Sequence, residues 1–190
     1  MLAIAMGRLG IRGMIALVAG LAACNSTEPS GGDDDQVPSG SMAPELVGSW
    51  YYGSVSPTNY YNGSGQWSNA YGEGMFYTFK ANGTFEFGYR IYAGSYGCTN
   101  TVMWYKSGSA TSDVAAKTVM VRPKVALLNS KDNCRPEWNY EKEIDKSPEQ
   151  LSYRFGRDEW DGDALFLRFP TGEEIAFYRW NPDAAPGNGK

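Results

Sequence analysis

Hydrophobic and polar residues alternate with a period of two through most of residues 44–182, in runs cut by glycine, proline and asparagine. Such alternation sends successive side chains to opposite faces of a strand. The clearest run interleaves Phe85, Phe87, Tyr89 and Ile91 with Thr84, Glu86, Gly88 and Arg90. Further runs predict strands over Leu46 to Val55, Met75 to Lys80, Thr101 to Lys106, Lys117 to Leu128, Leu151 to Phe155, Leu165 to Phe169 and Glu174 to Trp180. In the fourth of these, Val119, Val121, Val125 and Leu127 read as one apolar face. Asn82-Gly83 and Pro170 to Gly172 mark tight turns. Trp138 to Ile144 fits a strand with Trp138, Tyr140 and Ile144 on one side, and its charge also suits a short helix; strand is the favoured reading. No long amphipathic helix separates the runs, which disfavours a parallel βαβ architecture. Eight or nine antiparallel strands with aromatic faces dispose of their edges by closing, so the chain predicts an all-β, antiparallel, up-and-down barrel.

Phase within the runs sorts the aromatic residues. Phe85, Phe87, Tyr89, Trp104 and Phe155 either line a cavity or fill the core, and filling is all that a small eight-stranded barrel requires. Arg90 and Arg154 run out of phase with them and are expected to face solvent. The connection from Ser56 to Ala70 is long for a hairpin and, with the residue after it, carries Tyr60, Tyr61, Trp67 and Tyr71. These four are the candidate ligand-binding residues, amphipathic rings able to stack on a ligand at a rim. The competing reading makes them a structural plug.

The first 23 residues stand apart from this pattern. Arg8 and Arg12 precede an apolar run, Met14 to Ala23, that is short for a bilayer span. The run ends Leu21-Ala22-Ala23-Cys24, which resembles the bacterial lipobox. That resemblance implies cleavage before Cys24, diacylglyceryl modification of its thiol and a membrane partner reached through the lipid. Residues 24–43 hold few large apolar side chains and predict a flexible tether, with Asp33 to Asp35 read as solvation rather than a calcium site. Asn25 stands where many inner-membrane lipoproteins resemble one another in having Asp, which leans toward the outer membrane of a bacterial envelope. Residues 183–190 predict a disordered tail.

Composition narrows the chemistry. The chain has 17 Lys+Arg and 21 Asp+Glu, a net charge of -4, so it lacks the basic surplus that draws proteins to nucleic acid. There is no histidine, which removes the commonest general base and zinc ligand. The acids of Asp158 to Asp163 sit around an apparent turn at Gly162 and read as solvated rather than catalytic. No catalytic residue, metal site or cofactor is predicted, and the protein reads as a non-enzyme. If lipid takes Cys24, the remaining Cys98 and Cys134 can pair in an oxidising compartment; two buried free thiols are the alternative. A bridge between them would be worth about 4 kcal/mol in the chain-entropy model.

Gly48-Ser49-Trp50 at the start of the first predicted strand resembles the Gly-x-Trp signature of the lipocalin (calycin) superfamily. The resemblance implies that a basic residue near the chain end packs across Trp50, and Arg179 in Phe177-Tyr178-Arg179-Trp180 stands where it would be expected. A guanidinium over an indole gains cation–π attraction while closing the barrel bottom. Phe79 to Phe85 is similar to a strand–turn–strand unit of bacterial lipocalin-like lipoproteins. The chain lacks an evident C-terminal helix, which places it nearer the small lipocalin-like modules. By this resemblance the first long loop folds over the open end of a barrel that binds a small apolar or amphipathic ligand. The alternative is an interaction module that engages an envelope protein or glycan through the loop aromatics. Replacing Cys24 with Ser is expected to release the chain from membranes into the soluble fraction; persistent membrane association would contradict the single anchor.

Overall fold

The computed structural model describes residues 42–67, 72–159 and 162–181. The leader, Cys24, the greater part of the tether and the tail lie outside these residues, as does Tyr71. Eleven strands follow one another: β1 (Gly48–Gly53), β2 (Tyr61–Asn62), β3 (Gln66–Trp67), β4 (Gly74–Phe79), β5 (Thr84–Ser95), β6 (Cys98–Asp113), β7 (Thr118–Asp132), β8 (Tyr140–Glu143), β9 (Glu149–Asp158), β10 (Gly162–Arg168) and β11 (Glu174–Arg179). The described residues contain no α-helix, so the all-β reading holds. The ambiguous segment divides: Pro136–Trp138 is a single 3-10 turn and Tyr140–Glu143 is a strand. Proline at the start of that turn loses no hydrogen bond, because an N–H there would have no partner within the turn.

Nine strands form one antiparallel sheet in the order β6-β5-β4-β1-β11-β10-β9-β7-β8, and β6 also pairs with β7. Eight of them therefore close in a ring of sequential neighbours, while β8 extends the sheet beside the far half of β7. Closure falls between the first and last strands, where Trp50 faces Arg179 and Tyr51 faces Tyr178. The paired positions set the stagger of the ring. Leu128 is level with Trp104, Tyr89, Met75 and Tyr52. Extended by the β1–β11 and β9–β7 registers, that row passes Phe177, Leu165 and Phe155 and meets the chain again at Ala115, thirteen residues before Leu128. One of the thirteen is a bulge residue, so the stagger is about 12, and eight strands so staggered tilt by roughly 45°.

The core fills one half of the ring. Trp50, Tyr77, Phe79, Phe85, Val119, Val121, Leu151, Tyr153, Leu165, Leu167 and Phe177 point inward and are buried together. Met42, Ala43 and Leu46 complete this cluster, so the packed unit begins before position 44 and takes in two residues assigned to the tether. The Ala43 N–H donates to Ser112 Oγ at 2.8 Å, which fixes the entry of the chain. Arg179 lies 4.9 Å from the Trp50 ring centroid and donates to the Val47 carbonyl at 2.8 Å. The indole N–H of Trp50 donates to the Leu46 carbonyl at 2.8 Å. Phe155 sits at this same end, 5.8 Å from Trp50 and 6.1 Å from Tyr153, and so does not share a cavity with Trp104.

One register shift corrects the reading of β7. Ser107 pairs with Val125 and Gly108 with Pro123, leaving Lys124 as the extra residue of a β-bulge. The bulge reverses the phase, so Val119 and Val121 face inward whereas Val125 packs on the outer face. Pro123 is tolerated here because a bulge removes the need for its missing N–H. Gly108 is required by proximity: a Cβ would meet the Arg122 carbonyl oxygen at 2.1 Å and the Lys124 nitrogen at 2.7 Å. Both are backbone atoms that cannot swing aside. Gly108→Ala is therefore expected to cost about 2–3 kcal/mol of unfolding free energy in urea melts; an unchanged midpoint would contradict this account of the bulge.

Candidate functional site

The long connection lies on the outside of the ring, not across its mouth. Phe76 alternates with inward-facing Tyr77 and therefore points outward, into a second cluster with Val55, Tyr60, Met103 and Tyr105. Gly88, opposite Phe76, leaves a dent there: a Cβ on it would meet the Phe76 ring at 2.2 Å and Tyr60 Cδ1 at 3.0 Å. Tyr60 closes over the dent, 2% exposed, with its hydroxyl donating to the Tyr89 carbonyl at 2.6 Å. Tyr61 packs 4.6 Å from Tyr105 and 5.0 Å from Trp67, ring centroid to ring centroid. The Trp67 indole N–H donates to Glu141 Oε2 on β8. Burying each of these rings is worth about 2 kcal/mol. The three described loop aromatics are thus spent on the outer wall, and Tyr60 offers no face to a ligand.

Arg90 is drawn into the same packing. It is half-buried rather than facing free solvent, donates through Nη1 to the Gly72 carbonyl and lies 5.5 Å from the Tyr92 ring. Arg154 behaves as the phase predicts, exposed on the outer face over Phe166 at 3.7 Å and paired with Glu174 at 2.6 Å. That guanidinium, with Arg168 beyond it, holds the Glu174 carboxyl below the usual carboxylate range.

The other half of the ring interior is a different environment. Phe87 and Met75 face inward beside the core but are only half-buried. One level further, Tyr89 and Trp104 stack with ring centroids 5.0 Å apart, also half-buried. Tyr52, on the same paired row, is 46% exposed although it points into the ring. At the Trp50 end Phe155 is as exposed, but it lies beside buried Trp50 and Tyr153; at the other end Tyr52, Met75, Phe87, Tyr89 and Trp104 all fall short of full burial, so the Tyr52 end is the more open. The wall there is uneven, because β5, β6 and β7 run 12, 16 and 15 residues against 6 for β1 and β11. The long strands overhang the mouth, with Tyr92 on β5 and Tyr96 in the turn between β5 and β6, both exposed. A Cys98–Cys134 disulfide, Cα–Cα 5.4 Å, staples the tip of that overhang to the turn before β8.

Two charged residues occupy inward positions in the open half. Lys106 pairs across the sheet with inward Phe87 and buried Ala126. Glu149 pairs with core Val121 on β7, and its charge reaches the Tyr77 hydroxyl. Lys106 Nζ forms an ion pair with Glu149 Oε1, their side chains 20% and 32% exposed. Neither residue was singled out from the sequence, although the signal was present. Lys106 continues the phase of Val102 and Trp104, and Glu149 that of Leu151 and Tyr153. Opposite charges on two in-phase inward positions are a pairing signal. Among the described residues, no three His, Cys, Asp or Glu side chains gather where a metal ion would sit.

Burial raises the hydroxyl pKa of Tyr77 and of Tyr60 well above the ordinary phenol value. Glu149 adds to the rise at Tyr77, and Arg90 opposes it at Tyr60. The folded chain therefore keeps both protons at a pH where the unfolded chain has lost them. Stability is complete below about pH 10 and falls as pH climbs beyond it, by about 1.4 kcal/mol per unit for each tyrosine. Tyr60→Phe is expected to cost about 1 kcal/mol at neutral pH and to make the alkaline decline less steep, which urea melts at pH 8 and pH 11 measure. An unchanged slope would contradict the burial of that hydroxyl. Comparison of the chain with models of protein families, with curated proteins and with solved structures found no match.

Proposed function

We propose that the protein is a non-enzymatic binder of a small apolar or amphipathic molecule, held in the open half of a lipocalin-like barrel. The observation that carries this reading is the half-exposed inner wall of Tyr52, Met75, Phe87, Tyr89 and Trp104. Apolar surface kept from full burial inside a ring has no structural use there, and a ligand covering it gains the transfer free energy that folding left unclaimed. A stagger of about 12 widens an eight-stranded ring relative to a less tilted one, which suits a ligand rather than a wholly filled interior. The Gly48-Ser49-Trp50 signature, with Arg179 over the indole, supports the family likeness. Cys24, acylated, would hold this barrel at a bacterial envelope membrane, most naturally the outer one, by the tether that follows it.

A second reading is supported by the overhang. Tyr92, Tyr96, Trp138 and Tyr140 are exposed near the disulfide, with Arg135 stacked 4.2 Å from Trp138. Aromatic side chains presented this way suit contact with an envelope protein or glycan.

Native mass spectrometry of the full chain purified gently from a bacterial envelope is expected to show a small-molecule adduct lost on denaturation. Trp104→Ala should weaken binding of an apolar fluorescent dye at least tenfold, while Trp67→Ala, on the outer wall, should leave it unchanged. A single unliganded mass together with dye binding indifferent to Trp104 would overturn the binder and favour the interaction module.

A further inference from the structure

The Lys106–Glu149 pair has a consequence for which ligand the open half accepts, and the inference rests on the binder reading above. Both side chains stand on inward positions and stay partly exposed, and each already neutralises the other. The polar floor of the site is this pair, one cation against one anion, beside half-buried Phe87 and Trp104.

A ligand bearing one full charge meets this floor badly. A carboxylate head must take Lys106 away from Glu149 and leave that anion unpaired in a partly desolvated place, where an uncompensated charge is costly. An ammonium head does the reverse to Lys106. An uncharged head with hydroxyl or amide groups needs no exchange. An ammonium has three donors and a carboxylate about four acceptor sites, and the ion pair uses one of each. The rest can make charge-assisted hydrogen bonds to a neutral group while the pair stays intact. We infer that the site selects amphipaths with an uncharged, hydrogen-bonding polar end, and that the Lys106–Glu149 pair is the element that rejects charged heads.

The test is competition at pH 7 between an apolar fluorescent dye bound to the full chain and three probes of equal chain length: monododecanoylglycerol, dodecanoate and dodecylammonium. The glycerol ester is expected to displace dye at least tenfold more effectively than either ion. Glu149→Gln frees Lys106 and should turn the preference toward dodecanoate. Lys106→Met frees Glu149 and should turn it toward dodecylammonium. The double variant should lose discrimination while still binding the ester, and circular dichroism melts establish that each variant is folded. If a variant does not fold, the order of the three probes on the unmodified chain decides alone. A charged probe equal to or better than the ester there, or an order unchanged in folded variants, would overturn this inference while leaving the binder intact. Failure of all three probes to displace the dye, or of the dye to bind, would remove the binder reading itself.

Discussion

Closure of β1 on β11 is the constraint from which the rest of the structure follows. An open eight-stranded meander would leave two unpaired edges and one apolar face without a partner. Pairing Trp50 with Arg179 converts that face into an interior, and the guanidinium over the indole seals the end where the two strands meet. The side chains gathered above this seal, Phe79, Phe85, Leu165 and Phe177 among them, have nowhere else to be buried. The inside of the ring exists because its first and last strands find each other, and every statement about what the ring could hold depends on that contact.

The wall made by β4 to β7 carries apolar residues on both faces, which sets it apart from the remainder of the ring. Phe76, Met103 and Tyr105 alternate with inward Tyr77 and Trp104, so a second cover is needed on the outside. The connection between β1 and β4 supplies it, with Tyr60 seated over Gly88 and Trp67 tied to β8 through Glu141. Length and aromatic content in a loop therefore serve packing here. The inner side of the same wall is left partly bare, so these strands are covered on the outside and incompletely covered on the inside.

Much of this was legible in the sequence, because strand alternation and turn residues are local properties. The phase of Phe85, Phe87 and Tyr89, the turn at Asn82-Gly83 and the pairing of Cys98 with Cys134 all correspond to what the chain adopts. Less legible were features that depend on a partner strand. The bulge at Lys124 arises from a close approach between Gly108 and Arg122, and nothing within β7 alone signals where the phase reverses. The far half of β6 is rich in Ser, Thr and Gly and lacks alternation, so it read as the end of a strand at Lys106. The position of the long loop was hidden for a related reason: aromatic residues in a connection do not say which side of the sheet they will meet. Phe155 was grouped with Trp104 because phase assigns a face but not a height, and the stagger of the ring separates the two.

The bulge also determines how this chain tolerates insertions and deletions. Loss of Lys124 would not simply shorten a strand by one residue. It would remove the bulge and leave an unbroken β6–β7 ladder, in which Ala126 and Leu128 keep the inner face and Val125 and Leu127 the outer one. One further inserted residue, by contrast, would have to be absorbed in a wider bulge or would exchange the two faces of the overhang. The stretch between Val121 and Val125 can therefore lose its extra residue and still tell the upper wall which side is inside, whereas added residues there are tolerated only as a bulge.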